Sequence, residues 1–243
     1  QLGRRDGAEA NLAKAETTLT QSVPACRWLF GAQGAYYCDL ILSPVEVLAW
    51  RRFLSRRGLS NRESDIVRRC IAAVSDRYKQ AVMFASMGGS SLVTETLDQL
   101  NNARARFYLA LLLGFHKDEG DPIHTVRDLL ASTAHSARKC GDAECLPPVL
   151  LVTAWWRLME SDPAGAQADL DEAWDIAERG PMRLHMADIH LYRARLFFRE
   201  KPYPWESPSA DLAAAETLIN ECGYHRRDDE LADAKRAILG EGA

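Results

Sequence analysis

Along most of this chain large apolar residues return every three or four positions, with polar residues between them. That is the spacing of one face of an α-helix, and the strict alternation of a half-buried strand is scarce. The pattern predicts helices at 7–21, 25–41, 44–57, 62–84, 91–116, 122–140, 147–160, 163–179, 183–200, 207–222 and 226–239. Start signals stand where they should. Ser161-Asp162-Pro163 and Ser207-Pro208 each place a capping side chain before a first-turn proline. Gly180-Pro181 and Cys222-Gly223 supply stops, and loops are expected at Gly88-Gly89-Ser90, 117–122 and 201–208. The stretch 44–90 follows a longer period and reads as irregular.

The chain also resembles itself. Ala10-Asn11-Leu12-Ala13-Lys14-Ala15-Glu16-Thr17 matches Ala210-Asp211-Leu212-Ala213-Ala214-Ala215-Glu216-Thr217 at six of eight positions. A third copy is Ala168-Asp169-Leu170-Asp171-Glu172-Ala173-Trp174. Each sets a Leu three residues before an Ala, with a further apolar residue at Leu19, Leu218 or Ile176. A large and a small residue on one helix face let a second helix approach closely. Upstream lie richer apolar helices, 150–156 and 190–196, which align on Ala154 and Ala194. One such pair cannot bury its own apolar face, whereas stacked pairs share a continuous core. The expected fold is therefore all-α: antiparallel helix pairs in one curved domain spanning 1–243. The charged segment His225-Arg226-Arg227-Asp228-Asp229-Glu230-Leu231 is expected to be a solvated capping helix over 225–243, closing the array near Ala243.

The small–large–Ala pattern of Ala166, Leu170 and Ala173 resembles that of tetratricopeptide repeats. Pro208 departs from it, and Leu170 and Leu212 stand 42 positions apart, against a usual period of about 34. Longer stretches are similar to the C-terminal tetratricopeptide region of bacterial STAND ATPases, the signal-transducing class with NACHT-like or NB-ARC-like motors. They are Gln33-Gly34-Ala35-Tyr36-Tyr37-Cys38-Asp39-Leu40, the run from Ala168 to Leu191, and the run from Tyr203 to Arg227. The resemblance implies a right-handed superhelix with a concave groove lined by the first helix of each pair. Carried over through Ala154 and Ala194, it places Trp155, Met159, Asp188, Arg195 and Arg199 in that groove. It also implies a protein or peptide partner and an ATPase motor upstream. The chain starts at Gln1 rather than Met, and we read it as a piece of a longer one.

Composition narrows the classes. The hydrophobic share of 47% can fill a core. A net charge of −4 argues against bulk binding to nucleic acid or an anionic membrane. No run approaches 18 apolar residues, and the polar start lacks the apolar segment of a secretory signal. Cys26, Cys38, Cys70, Cys140, Cys145 and Cys222 are scattered rather than spaced as a disulfide frame, so reduced thiols and a cytoplasmic setting are expected.

Candidate chemistry is thin. Met87-Gly88-Gly89-Ser90-Ser91 lacks the Lys and spacing of a phosphate-binding loop. His135, Cys140 and Cys145 stand five apart, as do His185 and His190, and a five-residue step on a helix scatters ligands over different faces. No Gly-x-Ser-x-Gly elbow occurs. No catalytic residue, metal or cofactor is assigned, and an enzyme is not expected. Trp155, Trp156, Trp174, Tyr192, Phe197 and Phe198 recur at helical spacing and read mainly as core. The stretch 51–79 is basic and carries Arg51, Arg52, Arg56, Arg57, Arg62, Arg68, Arg69, Arg77 and Lys79. It is either a solvated face or a patch for nucleic acid or an acidic partner; few aromatics lie beside it for base stacking, which favours the solvated face.

Overall fold

The computed structural model describes residues 3–114 and 122–240. Among them every regular element is helical. The α-helices are α1 (Arg5–Ser22), α2 (Gly31–Ser55), α3 (Asn61–Ser86), α4 (Leu92–Leu113), α5 (Pro122–Lys139), α6 (Leu146–Met159), α7 (Pro163–Arg179), α8 (Arg183–Phe197), α9 (Pro208–Cys222) and α10 (Asp228–Leu239). Short 3-10 turns at Ala143–Cys145 and His225–Arg227 lead into α6 and α10. Residues 115 and 116 of the helix expected at 91–116, and the loop expected at 117–122 as far as residue 121, lie outside the described residues. No helix among the described residues is long and apolar enough to cross a membrane.

The chain forms two compact units, one of residues 4–52 and 57–141, the other of 142–243 with 1–3 and 53–56. In the second unit α6 packs on α7, α7 on α8, α8 on α9, and α10 on both α8 and α9. The seams are built from the expected small–large pattern. Ala166, Leu170, Ala173 and Ala177 are fully buried on α7. Ala187, Leu191 and Ala194 of α8 meet Leu212, Ala215 and Ile219 of α9, with Tyr224, Leu231 and Ala234 closing the cluster. The caps read from the sequence are present: the Asp162 side chain accepts from the Gly165 amide and Ser207 from the Ala210 amide. Gly223 takes the left-handed backbone that ends α9.

Three expectations change. The first concerns 25–57, read as two helices; the structure has one, from Gly31, and it runs straight through Pro44. An internal proline leaves the carbonyl four residues back without its amide donor. Here that carbonyl belongs to Leu40, and the Ser43 hydroxyl donates to it at 3.0 Å. The helix starts late because the amides of Arg27 and Trp28 donate to Gln80 Oε1 on α3, and Gln80 Nε2 donates back to the Trp28 carbonyl. Gly31 then opens the helix with a φ of +67°, which few side chains tolerate.

The second is α1. Its sequence copies α9, yet its burial does not. Leu12 is half-buried and Ala15 exposed, while Glu16 is buried and pairs with Arg77 of α3 at 2.7 Å. The third is the charged C-terminal segment. It is not simply a solvated cap, since Arg227 and Glu230 point into the core.

The first unit uses the same buried-pair device. Arg104 of α4 reaches Asp39 at 2.7 Å and Glu46 at 2.8 Å, both on α2. Paired in this way, buried charges avoid the several kcal/mol that a lone one costs.

Candidate functional site

The groove inferred by resemblance does not hold together. Trp155 and Arg195 are fully buried and Asp188 nearly so. Trp155 packs edge-on against Tyr192. Arg195 donates to Glu230 at 2.8 Å and to the Leu191 carbonyl at 3.1 Å. Asp188 accepts from Arg227 Nε at 2.8 Å and from the Tyr224 hydroxyl at 3.0 Å. Burial alone would raise the Glu230 carboxyl, but Arg227 and Arg195 hold it below its ordinary range. These buried charges tie α8 to α10 and to the 3-10 turn before it. Of the five residues, Met159 and Arg199 are exposed, and Arg199 donates to the Leu54 carbonyl.

The basic stretch also divides. Arg51, Arg56, Arg57, Arg62, Arg68 and Arg69 are exposed and Arg52 is half-buried. Arg57 pairs with Glu63, and Lys79 with Asp76 at 3.0 Å. Arg77 leaves the surface altogether: its guanidinium lies over the rings of Trp28 and Tyr37, at 4.3 and 4.8 Å.

A third knot surrounds Arg193. Its guanidinium lies over the rings of both Trp174 and Trp205, and Trp205 Nε1 donates to Asp171 at 2.8 Å. His190 Nδ1 and the Tyr203 hydroxyl both meet the Asp211 carboxylate. The expected loop 201–208 is pinned here on α7, α8 and α9. Apart from Arg193 Nε, which is buried without an acceptor, its side chains pair with one another, so the knot reads as structure.

What the sequence did not single out is a cleft between α3 and α4, of about 400 Å³. It is lined by Tyr78, Ala81, Val82, Ala85 and Ser86 from α3 and by Glu95, Asp98 and Gln99 from α4. The α3 residues fall at helical spacing on one face, so the wall is largely apolar. The turn at Gly88 and Gly89 closes the hairpin, and the Ser91 side chain caps α4. At this end of the hairpin Val82, Met83, Met87 and Leu92 are all exposed. Two carboxylates face the apolar wall. Burial, with a smaller push from Glu95, raises Asp98 from its ordinary 3.8 to about 7. Burial also raises the Tyr78 phenol. No cation among the described residues pairs with Asp98 or Glu95, and Gln99 Oε1 is buried without a donor. The one sequence signal was positional: two acids three apart on α4 lie one turn from each other on the same side.

Among the described residues no three His, Cys, Asp or Glu side chains are grouped to hold a metal ion. No family model, no curated protein and no solved structure matches the chain.

Proposed function

We propose that this chain is a non-catalytic helical-repeat scaffold that holds a protein partner or senses a ligand. The observation that carries the reading is the open α3–α4 cleft, with its apolar wall, its exposed apolar rim and acceptors lacking donors. Exposed apolar side chains gathered beside a concavity are the usual mark of a binding surface. The frame we propose is a tetratricopeptide-like array of antiparallel helix pairs wound into a right-handed superhelix. Its support is the burial of Ala166, Leu170 and Ala173 on α7 and of Leu212 and Ala215 on α9. By resemblance this would be the C-terminal sensor region of a bacterial STAND-type ATPase working in the cytoplasm. A stand-alone adaptor is the second reading, since the cleft serves either equally.

Two experiments test this. The gene upstream of the Gln1 codon is read first: a phosphate-binding loop within the preceding few hundred codons supports the sensor arm. A start codon close by, with no ATPase before it, leaves the adaptor. The scaffold reading itself is tested by partner capture with the chain and with Val82→Glu. Capture should be lost in the variant while its circular dichroism stays helical. Capture that survives the substitution would remove the cleft from the reading.

A further inference from the structure

We infer that the α3–α4 cleft receives a basic side chain of a partner peptide, seated between apolar residues of that peptide. The inference rests on the cleft being the binding site and adds the chemistry of what enters it.

The lining divides into two kinds of surface. Ala81, Val82 and Ala85 on α3 form an apolar wall, and across from it Asp98, Glu95 and Gln99 bring acceptors on α4. An ammonium or guanidinium group is a donor with no acceptor of its own. It fits a place where two carboxylates and an amide oxygen stand without a cation or donor among the described residues. An anionic ligand would meet Glu95 and Asp98 head on. A purely apolar one would leave both carboxyls and Gln99 Oε1 unsatisfied, which is costly once water is excluded. The apolar stem of a lysine can lie along Val82 and Ala85 while its charged end reaches Asp98.

The size of the surface decides between a free amine and a peptide. The cleft alone would hold a small amine. Val82, on the cleft wall, and Leu92, one turn before Glu95 on α4, are both exposed and extend the apolar surface past its mouth. A peptide with apolar residues around its basic one covers the rim as well as filling the cleft.

Protonation adds a second signature. The charge whose field reaches Asp98 is Glu95 on α4, and the field of Asp98 in turn reaches Tyr78 on α3 and Cys38 on α2. Tyr78 is raised above 10 and Cys38 to about 12, so both stay neutral between pH 6 and 8. Asp98 loses its proton through about 7 and is the group that changes charge in this window.

The test uses two labelled leucine–alanine peptides, one with a central lysine and one with norleucine there, titrated by fluorescence anisotropy. At pH 8 the lysine peptide should bind about tenfold tighter than its twin, the worth of a charge-assisted hydrogen bond. Asp98→Asn and Glu95→Gln should bring it down to the norleucine level and leave the norleucine peptide unaffected. Val82→Ser should weaken both. Lowering the pH to 6 should weaken the lysine peptide several-fold in the native chain, while Asp98→Asn should show no such change. Equal binding of the two peptides, or lysine binding indifferent to Asp98→Asn, overturns the inference and leaves the cleft as a site. Butylammonium bound as tightly as the lysine peptide overturns it in favour of a small amine. Binding of none of the three probes overturns both this inference and the reading of the cleft as a binding site.

Discussion

A carboxyl group that prefers to keep its proton at neutral pH works against the fold that surrounds it. In the unfolded chain Asp98 releases its proton near 4, and in the folded protein it holds on to about 7. Between those values the folded state binds one proton more, so its stability falls as pH rises through the window. Above 7 the penalty is fully present; below 4 it is gone. Asp98→Asn should therefore stabilise the protein at pH 8, by about 4 kcal/mol at most, with most of the gain absent at pH 4.5. Urea unfolding of both chains at the two pH values measures it. Equal stability at pH 8 would show that Asp98 is solvated in the folded chain. A side chain that costs stability and sits beside an apolar wall is the kind retained for binding. Sequence reasoning passed over it because an acid on an amphipathic helix reads as surface. The resemblance carried over through Ala154 and Ala194 places Asp188 and Arg195 in a groove, yet both are buried with partners. Whether a charge is paired inside or solvated outside depends on which helices meet, and one sequence does not carry that.

Helices were legible where their ends carry local chemistry. The starts of α7 and α9 follow Asp162 and Ser207, whose side chains satisfy amides of the first turn, and each has proline as its first residue. The break expected between 41 and 44 is absent, because the Leu40 carbonyl that Pro44 leaves without an amide finds its donor in a neighbouring side chain. The Ser43 hydroxyl supplies the donor that proline lacks, and Val45 and Ala49 beyond it are fully buried and hold the helix in line. This gives a double-mutant cycle. Ser43→Ala should cost about 1 kcal/mol by orphaning the Leu40 carbonyl. In a Pro44→Ala background, where the amide of residue 44 takes over, the same substitution should cost close to nothing. Equal costs in both backgrounds, read by thermal or urea unfolding, would show that the serine does not serve the proline. The α1 copy failed for a different reason. Identical residues were placed against different neighbours, and Glu16 turned inward to Arg77.

For the whole molecule, the all-helical class was readable from periodicity and composition, and the division into two units was not. Units are defined by contacts between distant residues, as when 53–56 belong with 142–243. The basic stretch looks different at this scale too. Arg77 is withdrawn into a core, Arg57 and Lys79 have acidic partners, and the net charge is −4. Duplex DNA or RNA immobilised on a column should not retain the protein at 50 mM salt. Retention that falls steeply with added salt would restore the arginines as a phosphate-binding face.

The alanine-lined seam between α8 and α9 has a consequence for assembly. Its alanines let the helices approach closely with Leu191, Leu212 and Ile219 packed between them, and apolar contacts are less particular about register than charges, being non-directional. The ties from Arg195 and Asp188 to Glu230 and Arg227 do not slide. A shift of one turn, about 5.4 Å, would strand charges in an apolar interior at several kcal/mol each. The alanines let α8 and α9 come close, and the charges dictate the single register in which α8 can stop.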